Sequence, residues 1–344
     1  MRQSRSVRLI VPALLGPVTD AAAVARLQPR LPALERLLAR ARTGGGEEAG
    51  GEAAVCTAFG VDGPPWPVAA AARAGEADAV PGGGSPDGWW LRVDPVHLRV
   101  DTDHARLFGP YVLGLEATEA AALVERLNGH LEADGLAIEA PAPDRWYLRL
   151  AEAPDLRTHD LPEVAGRNVN PFLPGGGAAA RWRGWLTEIQ MLLHDAPVNI
   201  ERERRGRLPV NSVWPWGGGF RPAVGAGPSA VRAGDALTRG LARLAGTPVI
   251  DPAEGEGSWP PGETVVVDFG VREPLVHGEI EGWLEALAAL DRGWLARLLA
   301  DLRGRRLDRL EIDPCDGRRL RIGRAGLGRI WRRERPWHTR LGAE

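Results

Sequence analysis

Asp94-Pro95-Val96-His97 is followed closely by Asp101, Asp103 and His104, the densest grouping of oxygen donors and imidazoles in the chain. On an extended strand alternate side chains share a face, so Asp101 and Asp103 would lie together beside an imidazole, an arrangement suited to a divalent cation. The same residues also suit the solvated end of a hairpin, and both readings stand. A second set comprises Asp268, Glu273 and His277. Asp268 closes the apolar run Val265-Val266-Val267, and strand C-termini line the ligand crevice of open α/β sheets. Glu273 and His277 are four residues apart, but Pro274 between them argues against one shared helical face. The third set, Asn199-Ile200-Glu201-Arg202-Glu203-Arg204-Arg205, is either a solvated helix face or an arginine cluster that forks onto phosphate or carboxylate.

Other chemistries fall away. All 43 basic residues among the 344 are Arg. A phosphate-loop lysine, a Schiff-base lysine and a lysine general base are therefore excluded. The glycine runs at 44–46, 82–84, 175–177 and 217–219 have no Gly-Lys-Ser/Thr ending, and no Gly-x-Ser-x-Gly elbow occurs. Cys56 and Cys315 lack metal-site or disulfide spacing, and the reducing cytosol is the expected compartment. A formal net charge of -2 argues against a dedicated nucleic-acid binder. No apolar run approaches the ~20 residues of a membrane span. Arg2, Arg5 and Arg8 before Leu9 to Leu15, with Ala21-Ala22-Ala23 beyond, share the layout of a short signal peptide; Pro12, Gly16 and Pro17 interrupt it, and a first buried strand is expected instead.

These residues need a scaffold. Val7 to Leu15 reads as a buried strand leading into a helix over Ala22 to Arg42, the opening of a doubly wound α/β sheet. Gly44 to Gly51 reads as a loop, Ala54 to Phe59 as a strand, and Ala69 to Gly88 as a Gly/Pro-rich linker. From Trp89 the pattern changes. Trp89 to Val93 and Val96 to Val100 read as strands, Thr118 to Leu131 as an amphipathic helix, and Leu136 to Ile138 and Arg145 to Leu150 as strands, together a small α+β insertion. Ala178 to His194 reads as a helix, Val265 to Phe269 as a buried strand, Ile280 to Leu302 as a long helix and Leu307 to Ile312 as a strand. The expected segments are 1–87, 88–165 and 166–344.

The stretch Thr158 to Gly219 is similar to archaeal-type cofactor-independent phosphoglycerate mutases. The likeness rests on His159-Asp160-Leu161-Pro162, Ala196-Pro197-Val198-Asn199-Ile200-Glu201-Arg202, Gly206-Arg207-Leu208-Pro209-Val210-Asn211 and Trp216-Gly217-Gly218-Gly219. Asp94 to Asn128, with Arg99 at the family's arginine, Asp144-Arg145-Trp146-Tyr147, and His277-Gly278-Glu279-Ile280-Glu281-Gly282 through Asp291 extend it. A proteobacterial offshoot, the regulatory protein RpfE family, resembles it most in the boxes around Trp89, Asp144, Gly166 and Asn211. The resemblance implies the alkaline-phosphatase-like α/β fold, a doubly wound sheet with an inserted small α+β domain.

It also implies a site of two divalent metals held by Asp and His, with a Ser or Thr nucleophile. This chain departs from that pattern. Leu14-Leu15-Gly16-Pro17 has no Asp after the first strand, Gly44 to Ala53 has no Ser or Thr, and Asp313 is followed by Pro314 where the family has His. Thr57, inside the expected strand, is a poor substitute for the nucleophile. Asp268, Glu273, His277 and Asp313 remain as relics of the ligand set.

The expectation is a non-catalytic bacterial relative, regulatory or ligand-binding, whose cleft takes a small phosphorylated or carboxylated anion or a protein partner, with no cofactor. Arg99, Arg145 and Arg202 with Asn199 and Asn211 are the expected anion-binding residues. Trp214 and Trp216 either wall that cleft or pack in the core. A competing expectation is an active mutase or phosphatase with Mn or Zn held by Asp94, His97, Asp101, Asp103 and His104. A third is a protein-interaction scaffold.

Overall fold

The computed structural model describes residues 4–18, 24, 26, 29–46, 50–79, 88–101, 104–251, 259–329 and 331–341. Asp103, the Pro81 to Pro86 linker, Ala21 to Ala23 and residues 47–49 of the expected nucleophile loop lie outside them. The chain forms two compact units, one of Met1–Asp62 and Val224–Glu344, the other of Gly63–Ala223.

In chain order the strands are β1 (Arg5–Ile10), β2 (Arg42–Gly45), β3 (Trp89–Val100), β4 (Ala105–Phe108), β5 (Ile138–Ala142) and β6 (Arg145–Leu150). They continue as β7 (Ser212–Gly219), β8 (Ala230–Arg232), β9 (Val249–Ile250), β10 (Gly262–Val267), β11 (Arg309–Asp313) and β12 (Arg318–Gly323).

The first unit has the expected α/β, alkaline-phosphatase-like character, a sheet flanked by helices. Its strand order is β2-β12-β11-β1-β10-β8-β9. β1 lies parallel to both β10 and β11, with Ile10 level with Val267 on one side and Asp313 on the other. The C-terminal ends of three central strands are therefore aligned. Val7, Leu9, Val266, Leu310 and Ile312 are buried against Leu284, Leu287, Leu298 and Leu302 of the covering helices. A strand buried on both faces, as β10 is at Val265, Val266 and Val267, needs both faces covered, which fixes the layered architecture.

Two readings change here. Ala54 to Phe59 is not a strand: Gly51–Ala58 is a helix in which the Thr57 hydroxyl donates to the Ala53 carbonyl at 2.8 Å. Its alanines are strong helix formers, and a six-residue apolar run does not separate helix from strand. The long helix from Ile280 is interrupted at Asp291–Leu295 by a π-type turn. The Asp291 carboxylate there accepts from the Leu34 N–H at 2.7 Å and the Ala33 N–H at 3.3 Å, satisfying two free donors at the start of the helix Pro32–Arg40.

The second unit is built on β3, a single 12-residue strand that runs through Pro95 and joins the two strands read from the sequence. It pairs antiparallel with β4, β6 and β7. Leu91, Val93, Trp146, Leu123, Leu127, Trp182 and Val213 form its core with the helices Ala117–Leu131 and Ala179–His194. Because β7 pairs along β3, the stretch 166–223 belongs with this unit and the expected boundary at 165/166 does not hold. The other boundary moves as well. Val68–Gly75, most of which falls in the linker expected from Ala69, is a helix whose first six residues are buried, and its alanine content again explains the difference.

Candidate functional site

At the aligned ends of β1, β10 and β11, the helix Gly51–Ala58 brings its first turn against the chain that follows β1. A Cβ on Gly51 would come within 2.4 Å of Pro12 and 2.7 Å of Phe269, so only glycine allows this approach. Glu52 is thereby placed beside Arg272, the first residue of the helix Arg272–Val276. Arg272 Nη1 donates to both Glu52 oxygens at 2.9 Å, and Nη2 donates to Glu273 at 3.1 Å. The guanidinium also stacks on Phe269, 4.8 Å from the ring centre. Burial works against its charge, but Glu52 and Glu273 hold it above the ordinary arginine value.

Asp313 shows the same pattern. Its Oδ2 accepts from Arg8 at 2.8 Å and lies 3.5 Å from Arg319 Nε, while Oδ1 accepts from the Cys315 N–H at 3.0 Å. Two residues earlier on the same strand face, Glu311 engages Arg321 at 2.6 Å and Arg319 at 3.5 Å. Cross-strand charge pairs of this kind fix register between neighbouring strands. Burial, with Asp313 and Glu52 nearby, pushes the Cys315 thiol up, which makes it a poor nucleophile at neutral pH. Asp268 accepts from the Gly270 N–H at 2.9 Å, and burial raises its carboxyl above the usual range.

The relation of Glu273 to His277 differs from expectation. Pro274 sits in the first turn of the helix, where its missing N–H costs no helical bond, and the His277 ring Nδ1 lies 2.9 Å from the Glu273 carbonyl. Among the described residues no three His, Cys, Asp or Glu side chains converge as a metal-binding group. The relic carboxylates Glu273 and Asp313 face arginines, so the donor set present does not fit a pair of divalent cations.

The second unit holds the remaining candidates. Asp94 is buried, and its carboxylate accepts from Arg92 Nε at 2.9 Å, Arg92 Nη2 at 2.7 Å, Trp216 Nε1 at 2.7 Å and the Trp146 N–H at 3.1 Å. Arg92 lies 5.1 Å from the ring centres of both Tyr147 and Trp216. Burial opposes its charge, and Asp94 holds it above its ordinary value. The Tyr147 hydroxyl donates to Glu76, which also accepts from Arg145 at 2.7 Å. His97 turns to the Pro209 carbonyl at 2.9 Å, and Asp101 lies 4.0 Å from His104. The described members of the Asp94–His104 group therefore point to different partners.

Most of the expected anion-binding residues have internal partners. Asn199 donates to the Leu193 and Val210 carbonyls, both at 2.7 Å. Arg202 donates to the Leu208 and Leu113 carbonyls and to Glu119. Asn211 bonds both backbone groups of Leu98, and Trp214 donates to the His159 carbonyl. Arg145 also pairs with Asp144. Arg99 is exposed on β3 and stacks on Phe108 at 4.7 Å. Glu52, Arg272 and Arg92 escaped the sequence reading. The alternation rule applied to Arg92 and Asp94 would have found one pair; no local signal marks Glu52 and Arg272, which are 220 positions apart.

The aligned strand ends and the helix N-terminus over them define a class, an α/β protein with a sheet flanked by helices, and the chain is similar to phosphoglycerate mutases. No family model matches the chain. The 2,3-bisphosphoglycerate-independent phosphoglycerate mutase of Methanosarcina barkeri is 27% identical over 137 residues, covering 38% of this chain and 34% of that protein. The probable enzyme of this type from Geobacter sulfurreducens is 29% identical over 140 residues, covering 39% and 32%. The match thus spans about a third of the length of these relatives. Among solved structures, the PH0037 protein of Pyrococcus horikoshii superimposes with a TM-score of 0.51 at 17% identity, covering 94% of this chain and 88% of that one. The cofactor-independent phosphoglycerate mutase of Thermoplasma acidophilum gives a TM-score of 0.45 at 16% identity, covering 100% and 96%. No helix among the described residues is long and apolar enough to cross a membrane.

Proposed function

We propose that this chain is a non-catalytic, cytoplasmic member of the regulatory protein RpfE type, one that binds a small phosphorylated or carboxylated anion without turning it over. The observation that carries the reading is the pairing of Glu52 and Glu273 with Arg272, and of Asp313 with Arg8 and Arg319. A guanidinium neutralises these carboxylates but offers no Lewis-acid orbital and no bound water to activate. The absence of Ser and Thr from Gly44 to Ala53 in the sequence supports it further. Of Arg99, Arg145 and Arg202, Arg99 alone is exposed with no carboxylate partner among the described residues and is the one placed to meet an anion.

The test combines metal analysis, turnover of 3-phosphoglycerate and thermal shift. Wild-type protein should show no chelator-sensitive turnover with Mn²⁺ or Zn²⁺, and 3-phosphoglycerate should raise its melting temperature but not that of Arg99→Ala. Metal-dependent turnover would overturn the non-catalytic reading. An unchanged melting temperature in the wild type would remove the ligand-binding part.

A further inference from the structure

The total charge of -2 conceals an uneven distribution: from Arg318 to the C-terminus the chain carries nine Arg and two Glu. In the first unit, Arg42, Arg332, Arg333, Arg335 and Arg340 line one open groove of about 770 Å³, together with Leu38, Ala41 and Trp331. Arg42 begins β2, the outermost strand of the seven-stranded sheet, so the groove follows a sheet edge. Glu334, the acidic residue between Arg333 and Arg335, is turned away to Arg36 and Arg40, at 2.9 and 3.2 Å. Arg42, Arg333, Arg335 and Arg340 have no carboxylate partner among the described residues.

Trp331 sits among these charges and is 75% exposed, whereas Trp90, Trp146, Trp283 and Trp337 are among the most deeply buried side chains of the protein. An indole left in water forfeits the burial that normally stabilises it. Unpaired guanidinium groups gathered in one groove repel one another unless a polyanion lies between them. The groove is too large for a single small ion. Guanidinium groups for phosphates and a free indole face for an unpaired base are the two parts that sequence-tolerant single-strand recognition requires. An acidic polypeptide would satisfy the charges but has no use for the indole face.

We propose that this groove binds single-stranded nucleic acid, with Arg42, Arg333, Arg335 and Arg340 on the phosphates and Trp331 stacked on a base. The site is independent of the strand-end residues discussed above. It also departs from the expectation drawn from net charge, because binding depends on local clustering and not on the total.

Fluorescence anisotropy of the full chain with a labelled oligothymidylate of about 12 nucleotides at about 50 mM salt tests this, with oligoglutamate of equal length as the competing polyanion. Arg333 and Arg335 are exposed and unpaired, so Arg333→Glu with Arg335→Glu should leave the melting temperature unchanged. That variant should weaken binding by roughly tenfold or more and flatten the slope of log affinity against log salt by about 1.4, the value for two lost phosphate contacts on a single strand. Trp331→Ala should weaken binding by roughly fivefold or more, the low end of base–aromatic stacking, at nearly unchanged salt slope. The proposal is overturned by an absence of binding at low salt, by a charge-reversed variant that binds like wild type, or by tighter binding of oligoglutamate than of the oligonucleotide.

Discussion

Replacing Arg272 by Met keeps an unbranched side chain of similar length and removes both the charge that sits against Glu52 and the guanidinium that stacks on Phe269. The Glu52 side chain is 9% exposed and that of Arg272 12%, so water cannot take over as partner without local opening. Breaking a buried pair by removing one member costs about 3–5 kcal/mol, because the other charge stays desolvated and unpaired. The two bonds at 2.9 Å to Glu52 and the shared contact to Glu273 place this pair at the stronger end. At ~2–4 °C per kcal/mol for a unit of this size, Arg272→Met should lower the melting temperature of the first unit by about 6–20 °C. Adding Glu52→Gln removes the orphaned charge and should recover most of that loss, since exchanging both partners of a buried pair for neutral groups is often close to neutral. Calorimetry of wild type, both single variants and the double variant closes the cycle. If Arg272→Met melts within about 1 kcal/mol of wild type, or if the two substitutions simply add, the pair is not coupled and the central argument for the arginine-neutralised site fails.

In the second unit, Asp94→Ala leaves Arg92 buried with its charge intact, and should cost about 3–5 kcal/mol in chemical denaturation followed by tryptophan emission; a loss below about 1 kcal/mol would contradict the pairing described. Burial lowers the His97 imidazole below its ordinary value, opposed by its bond to the Pro209 carbonyl. The unfolded chain therefore takes up a proton first: stability is complete above about pH 6.5 and falls as the pH drops from there toward the folded value. His97→Asn, which can still donate to Pro209, should flatten this part of the melting-temperature profile, and an unchanged slope would assign it to another group.

How much of this was legible in the sequence depends on the range over which each interaction acts. β10 is readable because a strand buried on both faces shows an apolar run, Val265-Val266-Val267, whereas β1 and β11 are readable from the alternating Val7 and Leu9 and Leu310 and Ile312, with Arg8 and Glu311 between them. The helix Gly51–Ala58 was misread because alanine and valine at that length serve either structure, and tertiary contact with Pro12 and Phe269 decides. Asp94, the most prominent candidate ligand, is an internal partner because Arg92 two residues earlier and Trp216 from β7 reach it first. Asn199 and Arg202 carry the family likeness, yet their side chains are used on backbone carbonyls that no local pattern reveals. Trp331 had no signal until its exposure was known, since thirteen Trp in one chain give no reason to single one out.

The first unit holds Phe59 and Gly225 together through a bond from the Gly225 N–H to the Phe59 carbonyl at 2.9 Å, with Gly60 packed alongside. The chain thus leaves this unit and returns to it through one narrow doorway, and everything in residues 63–223 is a single excursion from that point. Closing so long an excursion as loose coil carries an entropy cost that grows only slowly, by about 0.6 kcal/mol per doubling of length, but it must be met before the later strands β8 to β12 can join β1. If the excursion has already folded with its two ends near each other, the same closure is that of a short tether. The order of assembly then follows the chain: the inserted segment, made after β1 and β2 but before β8 to β12, acts as the clasp that lets the interrupted sheet find its second half.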